Sequence, residues 1–147
     1  MTVIHGTMPT TEDYEPKRFP GNIETAAHSP AADATWEDWD IIAAINTATA
    51  SDDLDTGRPV KLRGTLEVVS GDANPHDVKY ANGGVPDNDD TVKAYTTGGA
   101  AQSYFIQNVV LITDAAGLVK VEADVVAQVS FIFHLESAQY AQVEAGS

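Results

Sequence analysis

Acid–base and metal chemistry in this chain would have to come from four histidines, 22 carboxylates and the Ser, Thr and Tyr hydroxyls, since it has no cysteine. His5, His28, His76 and His134 are dispersed, and none has the i, i+4 spacing that sets two imidazoles on one helix face for a zinc ion. His134 lies on the polar side of an alternating run and reads as a surface histidine. Ser103 and Ser130 fall inside strand patterns, and no G-x-S-x-G elbow exposes a nucleophile. Neither G-x-G-x-x-G nor G-x-x-x-x-G-K-[ST] occurs, so no backbone cradle for phosphates is expected.

The acids gather in two turns, with Asp52, Asp53 and Asp55 in one and Asp87, Asp89 and Asp90 in the other. Calcium prefers six or more oxygens, often from alternating aspartates, and Asp87, Asp89 and Asp90 are the calcium candidates. The glycine turn and distal glutamate of an EF-hand loop are missing, so these segments read as solvated acidic turns. A glycosidase needs two acids fixed across a cleft, and nothing here selects a pair. The expectation is a non-enzyme with no catalytic residue, no cofactor and no committed metal site.

The elements that would position these groups are mainly strands. Val60, Leu62, Leu66 and Val68 alternate with Lys61, Arg63, Thr65 and Glu67 around Gly64, the period of a half-buried strand. Short strands are expected near residues 78–80 and 92–96, within and after a long polar loop over 70–90. Residues 104–113 are rich in β-branched and aromatic types, and 114–117 read as a hairpin turn. Beyond it, Val119, Val121, Ala123, Val125, Ala127, Val129, Phe131, Phe133 and Leu135 keep one parity. A strand that long is about three times the usual length, so either a bulge bends it or it projects as a hairpin that needs a partner.

Residues 35–46 fit two periods. As a helix, Thr35 is the N-cap and Trp36, Trp39 and Ala43 share a face; as a strand, Trp39, Ile41, Ala43 and Ile45 do. The strand is preferred here. No long amphipathic helix is expected. Residues 1–35, interrupted by Pro9, Pro16, Pro20 and Pro30, read as an extended arm, either a disordered leader or a segment ordered on a neighbouring subunit. The domain organisation is therefore an arm over 1–35, a mainly β domain over 36–140 with a long hairpin over 102–136, and a tail over 141–147.

Length and charge bound the function. At 147 residues the chain makes one domain. A formal charge of −14, from 14 Asp and 8 Glu against 5 Lys and 3 Arg, disfavours nucleic-acid reading and electrostatic membrane binding. The same Asp-rich, Lys-poor balance suits solubility in high salt, where dense charge is screened. No apolar run reaches the roughly 20 residues that span a bilayer.

Three pieces together carry a resemblance. They are the aromatic-led segment with Trp36, Trp39 and Ile41, the strand around Gly64, and the closing segments from Tyr104, Phe105 and Ile106 to Val129, Ser130, Phe131 and Phe133. The pattern resembles the tail-tube (major tail) proteins of tailed phages and archaeal tailed viruses. It departs from them in showing no clear helix between the sheets and no glycine after the last run. The resemblance implies a virion structural protein, an antiparallel β-sandwich that assembles with itself into stacked hexameric rings and contacts other virion proteins. DNA would pass through the tube without specific binding. Tyr104, Phe105, Val129, Phe131 and Phe133 would belong to the ring-forming hairpin, with Glu122 and Asp124 facing an acidic lumen that repels phosphates. The alternative is a capsid decoration or cement protein, commonly trimeric, that clamps the head with its arm. A carbohydrate-binding sandwich would need exposed rings, for which Trp36, Trp39, Tyr80 and Tyr95 are available.

Overall fold

A computed structural model describes residues 17–50, 54, 57–84 and 92–140, with the backbone path alone over 17–22. The strands are β1 (Lys17–Glu24), β2 (Glu37–Trp39), β3 (Val60–Ser70), β4 (Asp77–Ala81), β5 (Lys93–Thr96), β6 (Ser103–Ile112), β7 (Val119–Ala123) and β8 (Val129–Tyr140). Among the described residues one α-helix, α1 (Ile41–Thr49), follows β2, and a short 3-10 turn (Val126–Gln128) separates β7 from β8. The strands form two four-stranded antiparallel sheets, in the orders β1-β8-β3-β6 and β2-β7-β4-β5.

Period-two patterning builds the core. Val60, Leu62, Leu66 and Val68 of β3, with Phe131, Phe133 and Leu135 of β8, are buried from the first sheet. Val78 of β4 and Val119, Val121 and Ala123 of β7 are buried from the second, and one apolar cluster joins them all. Two sheets sharing one core make a mainly β sandwich; the alternation predicts its strands, and the sandwich is what the resemblance implies.

The details differ from expectation at three places. First, α1 occupies residues whose pattern fits both periods and where the resemblance favours a strand, and β2 is only three residues long. Asp40, not Thr35, is the N-cap: its Oδ1 accepts from the Ala43 N–H at 3.3 Å. Ile41, Ile42 and Ile45 are buried, the i, i+1, i+4 set of a helix rather than one face of a strand.

Second, the hairpin expected over 102–136 is not formed. β6 pairs with β3, β3 pairs with β8, and β7 joins the other sheet. The turn at 114–117 is present, with Asp114 Oδ1 accepting from Ala116 N–H at 2.9 Å and Leu118 N–H at 3.0 Å. It carries the chain from one sheet to the other instead of folding it back on β6. The long run from Val119 to Leu135 breaks at the 3-10 turn, where Val125 is exposed. The parity survives the break because β7 and β8 bury the same side against one shared core.

Third, residues 17–24 of the expected arm are a strand, β1, at the edge of the first sheet against β8. Residues 1–16 and the tail over 141–147 lie outside the described residues.

Candidate functional site

The outer face of the first sheet gathers the polar groups that sequence spacing leaves dispersed. Thr65 and Glu24 stand opposite His134 in the ladders on either side of β8. Glu67 stands opposite Ile132 of β8 and Phe105 of β6. Register thus places Glu67, one pleat along from Thr65, diagonally beside His134. His134 Nε2 lies 2.7 Å from Glu67 Oε1, and Ser103 Oγ donates to Glu67 Oε2 at 2.5 Å. The Phe105 ring tilts over the imidazole with centroids 6.0 Å apart. A carboxylate among apolar cross-strand neighbours needs such partners, since burial removes its water.

This order of groups is not a nucleophilic triad. The carboxylate sits between hydroxyl and imidazole, whereas an activated serine needs the imidazole between hydroxyl and carboxylate. A shallow recess elsewhere, lined by Ser29, Val69, Gly71, Gln128 and Ser130 among others, holds no titratable side chain.

The same sheet ends in an open edge. β6 pairs with β3 on one side and with no described strand on the other. Its ten residues, Ser-Tyr-Phe-Ile-Gln-Asn-Val-Val-Leu-Ile, contain no charge and no proline, two of the devices against edge pairing, and a bulge is the one such device it has. Phe105 and Val110 are exposed on it, at 55% and 39%. Asn108, at φ 59°, forms a bulge where Gln107 and Asn108 oppose Thr65 alone.

A second histidine is clamped between two carboxylates. His76 is buried, with Nε2 2.7 Å from Asp72 and Nδ1 3.1 Å from Asp124. Both ring nitrogens face acceptors, so the imidazolium form satisfies the site. The Asp72 hydrogen bond, against an opposing cost of burial, and then Asp124 hold its pKa above the usual histidine value. The bond from His76 chiefly holds Asp72 below the usual carboxylate value. Asp124 also accepts from the Asp77 N–H at 2.9 Å, tying the loop before β4 to the end of β7.

The residues singled out from sequence separate. Phe131 and Phe133 are fully buried and Val129 nearly so, which makes them core residues; Phe105 is the exposed member of that set. Tyr104 is half-buried, and its hydroxyl donates to the Ala100 carbonyl at 2.8 Å. Glu122 lies on the outer face of the second sheet, 4.0 Å from Lys79 directly across β4, and Asp124 is taken up by His76. Asp87, Asp89 and Asp90, with Asp52, Asp53 and Asp55, lie outside the described residues. Trp39 and Tyr80 are buried, so they offer no stacking platform for a sugar. The Glu67, Ser103 and His134 cluster was beyond sequence reasoning. Glu67 and His134 lie on the polar parity of their strands and Ser103 on a strand with no polar parity, and only the β6-β3-β8 register brings them together.

Among known proteins, no family model, no curated protein and no solved structure matches the chain.

Proposed function

We propose that this chain is a virion structural protein, a tail-tube subunit that assembles into hexameric rings stacked as a conduit for viral DNA. The observation that carries the assembly part is the edge of β6: an uncharged strand, unpaired on one side among the described strands except at Ile112, whose N–H and carbonyl meet Asn82 and Gly83, with Phe105 and Val110 exposed. Such an edge is a template for another strand, and a monomer that keeps one open risks aggregation. The first sheet ends in β6 on one side and β1 on the other. Copies joined β6 to β1 make a head-to-tail contact, the kind that closes into rings. The contact assigned to a projecting hairpin on sequence grounds is thus assigned to the sheet edge.

Hexameric order, the tail and the passage of DNA follow from the resemblance described above. The net charge of −14 supports a surface that phosphates do not adhere to. The reading includes no catalysis, no membrane and no cofactor, and its partners are further copies and neighbouring virion proteins.

The test is the solution mass of concentrated protein in molar salt, for the natural chain and for Phe105→Lys. A charge on this exposed position leaves the core untouched, so the variant is expected to fold with an unchanged circular-dichroism spectrum. The natural chain should run as a ring-sized oligomer and the variant as a monomer. Equal masses for the two would remove the β6 edge from the assembly. Trimers of the natural chain that bind isolated capsids would support a decoration protein instead.

A further inference from the structure

We propose that Glu24, Glu67 and His134 form a site for a divalent transition-metal ion of the zinc type on the outer face of the first sheet. Their ligand atoms, one from each residue, all lie within 4.8 Å of one another. They come from three neighbouring strands, β1, β3 and β8, whose ladders fix the spacing of the backbones beneath them. A tetrahedral ion with bonds of about 2.0–2.2 Å needs ligand atoms roughly 3.3–3.5 Å apart. Side-chain rotations alone can reach that spacing. The Glu24 side chain is exposed and free to swing in, while Glu67 is almost buried and supplies the fixed point.

The donor set selects the class of ion. One imidazole nitrogen with two carboxylate oxygens suits zinc and its neighbours, whereas calcium takes six to eight oxygens. Two carboxylates facing one imidazole also leave a negative site, which a divalent cation neutralises better than a second proton does. Support around the ligands is already in place. Ser103 Oγ donates to Glu67 Oε2, the oxygen that does not face His134, and so orients the carboxylate. The Phe105 ring lies beside the imidazole, tilted at 54° with centroids 6.0 Å apart. Binding needs Nε2 bare and the ring proton on Nδ1: an imidazolium releases its Nε2 proton to solvent, and a neutral ring holding its one proton on Nε2 loses it there while Nδ1 takes one up from water, so the Nε2 lone pair meets the metal in place of Glu67. Three protein ligands leave a fourth position for water.

This inference is independent of the assembly reading, since it concerns a single chain. The experiment is calorimetric titration of the untagged full chain with Zn²⁺, and in parallel with Ca²⁺. The variants are His134→Gln, Glu24→Gln and, as a control at the buried histidine, His76→Gln. Glu24 is exposed, so its variant tests the site without risk to the core. Expected are one saturable Zn²⁺ site per chain and affinity at least about tenfold weaker in H134Q and E24Q, the smallest loss seen even for supporting partners. H76Q should bind as the natural chain does, and any Ca²⁺ binding should be the same in H134Q. No saturable Zn²⁺ binding, or natural affinity in both H134Q and E24Q, overturns the proposal.

Discussion

Gly64 shows how one residue holds the first sheet together. It lies in β3, next to a shift of register against β8. A Cβ there would stand 2.0 Å from the His134 carbonyl oxygen and 3.1 Å from Phe133 Cζ. The nearer contact is backbone, so the sheet itself would have to open. Gly64→Ala is expected to cost about 3 kcal/mol, the upper range for overpacking. Chemical denaturation checks this, and a loss below about 1 kcal/mol would mean that the strands separate easily. His76 sets a pH dependence. Because its pKa is raised in the folded protein, its stabilisation is complete below the unfolded value of roughly 6.5 and is lost as pH rises through the folded value. Asp72 is lowered, so its contribution is present above roughly pH 3.9 and is lost as pH falls through its folded value. His28, stacked on Trp39 and lowered mainly by burial, titrates with the opposite sign to His76. Melting temperature should therefore fall more steeply from pH 6 to 9 in the natural chain than in His76→Gln. Parallel profiles would show that the clamp contributes nothing.

At the scale of elements, α1 carries a correctable flaw. Its C-cap residue, Ala50, has φ 54° and ψ 41°, the left-handed conformation that favours glycine, and its N–H bonds back to the Asn46 and Thr47 carbonyls. Ala50→Gly is expected to stabilise the fold by about 0.5–1 kcal/mol, read as a rise in the denaturation midpoint. A loss of stability would mean that the cap is not left-handed in solution. This helix also marks where sequence reasoning stops. Trp39 and Ala43 fit both periods, and Asp40 decides between them by capping α1 with its side chain. The alternation in β3 and β8 was legible because burying one face fixes parity locally. Pairing was not. The partner of β6 is β3, some forty residues earlier, and nothing in the strand itself separates that choice from β7 across a good turn sequence. The same applies to the cluster on the outer face. Glu67 and His134 were readable as polar positions, while their contact depends on non-local register.

For the whole molecule, two properties bear on assembly together. The formal charge of −14 makes copies repel one another at low ionic strength, while the β6 edge offers an uncharged strand to a neighbour. Screening shortens the repulsion to roughly 3 Å in 1 M salt, against about 10 Å in 0.1 M, and leaves backbone pairing and apolar contact intact. Association should therefore rise with salt, opposite to the behaviour of an interface built on ion pairs. The most direct measurement is negative-stain electron microscopy of the concentrated natural chain in molar salt, beside a sample in dilute buffer. Six-fold rings or tubes in molar salt, sparse in dilute buffer, are the predicted result. Dispersed monomers at every salt concentration would contradict assembly through the sheet edge and, with it, the tail-tube reading.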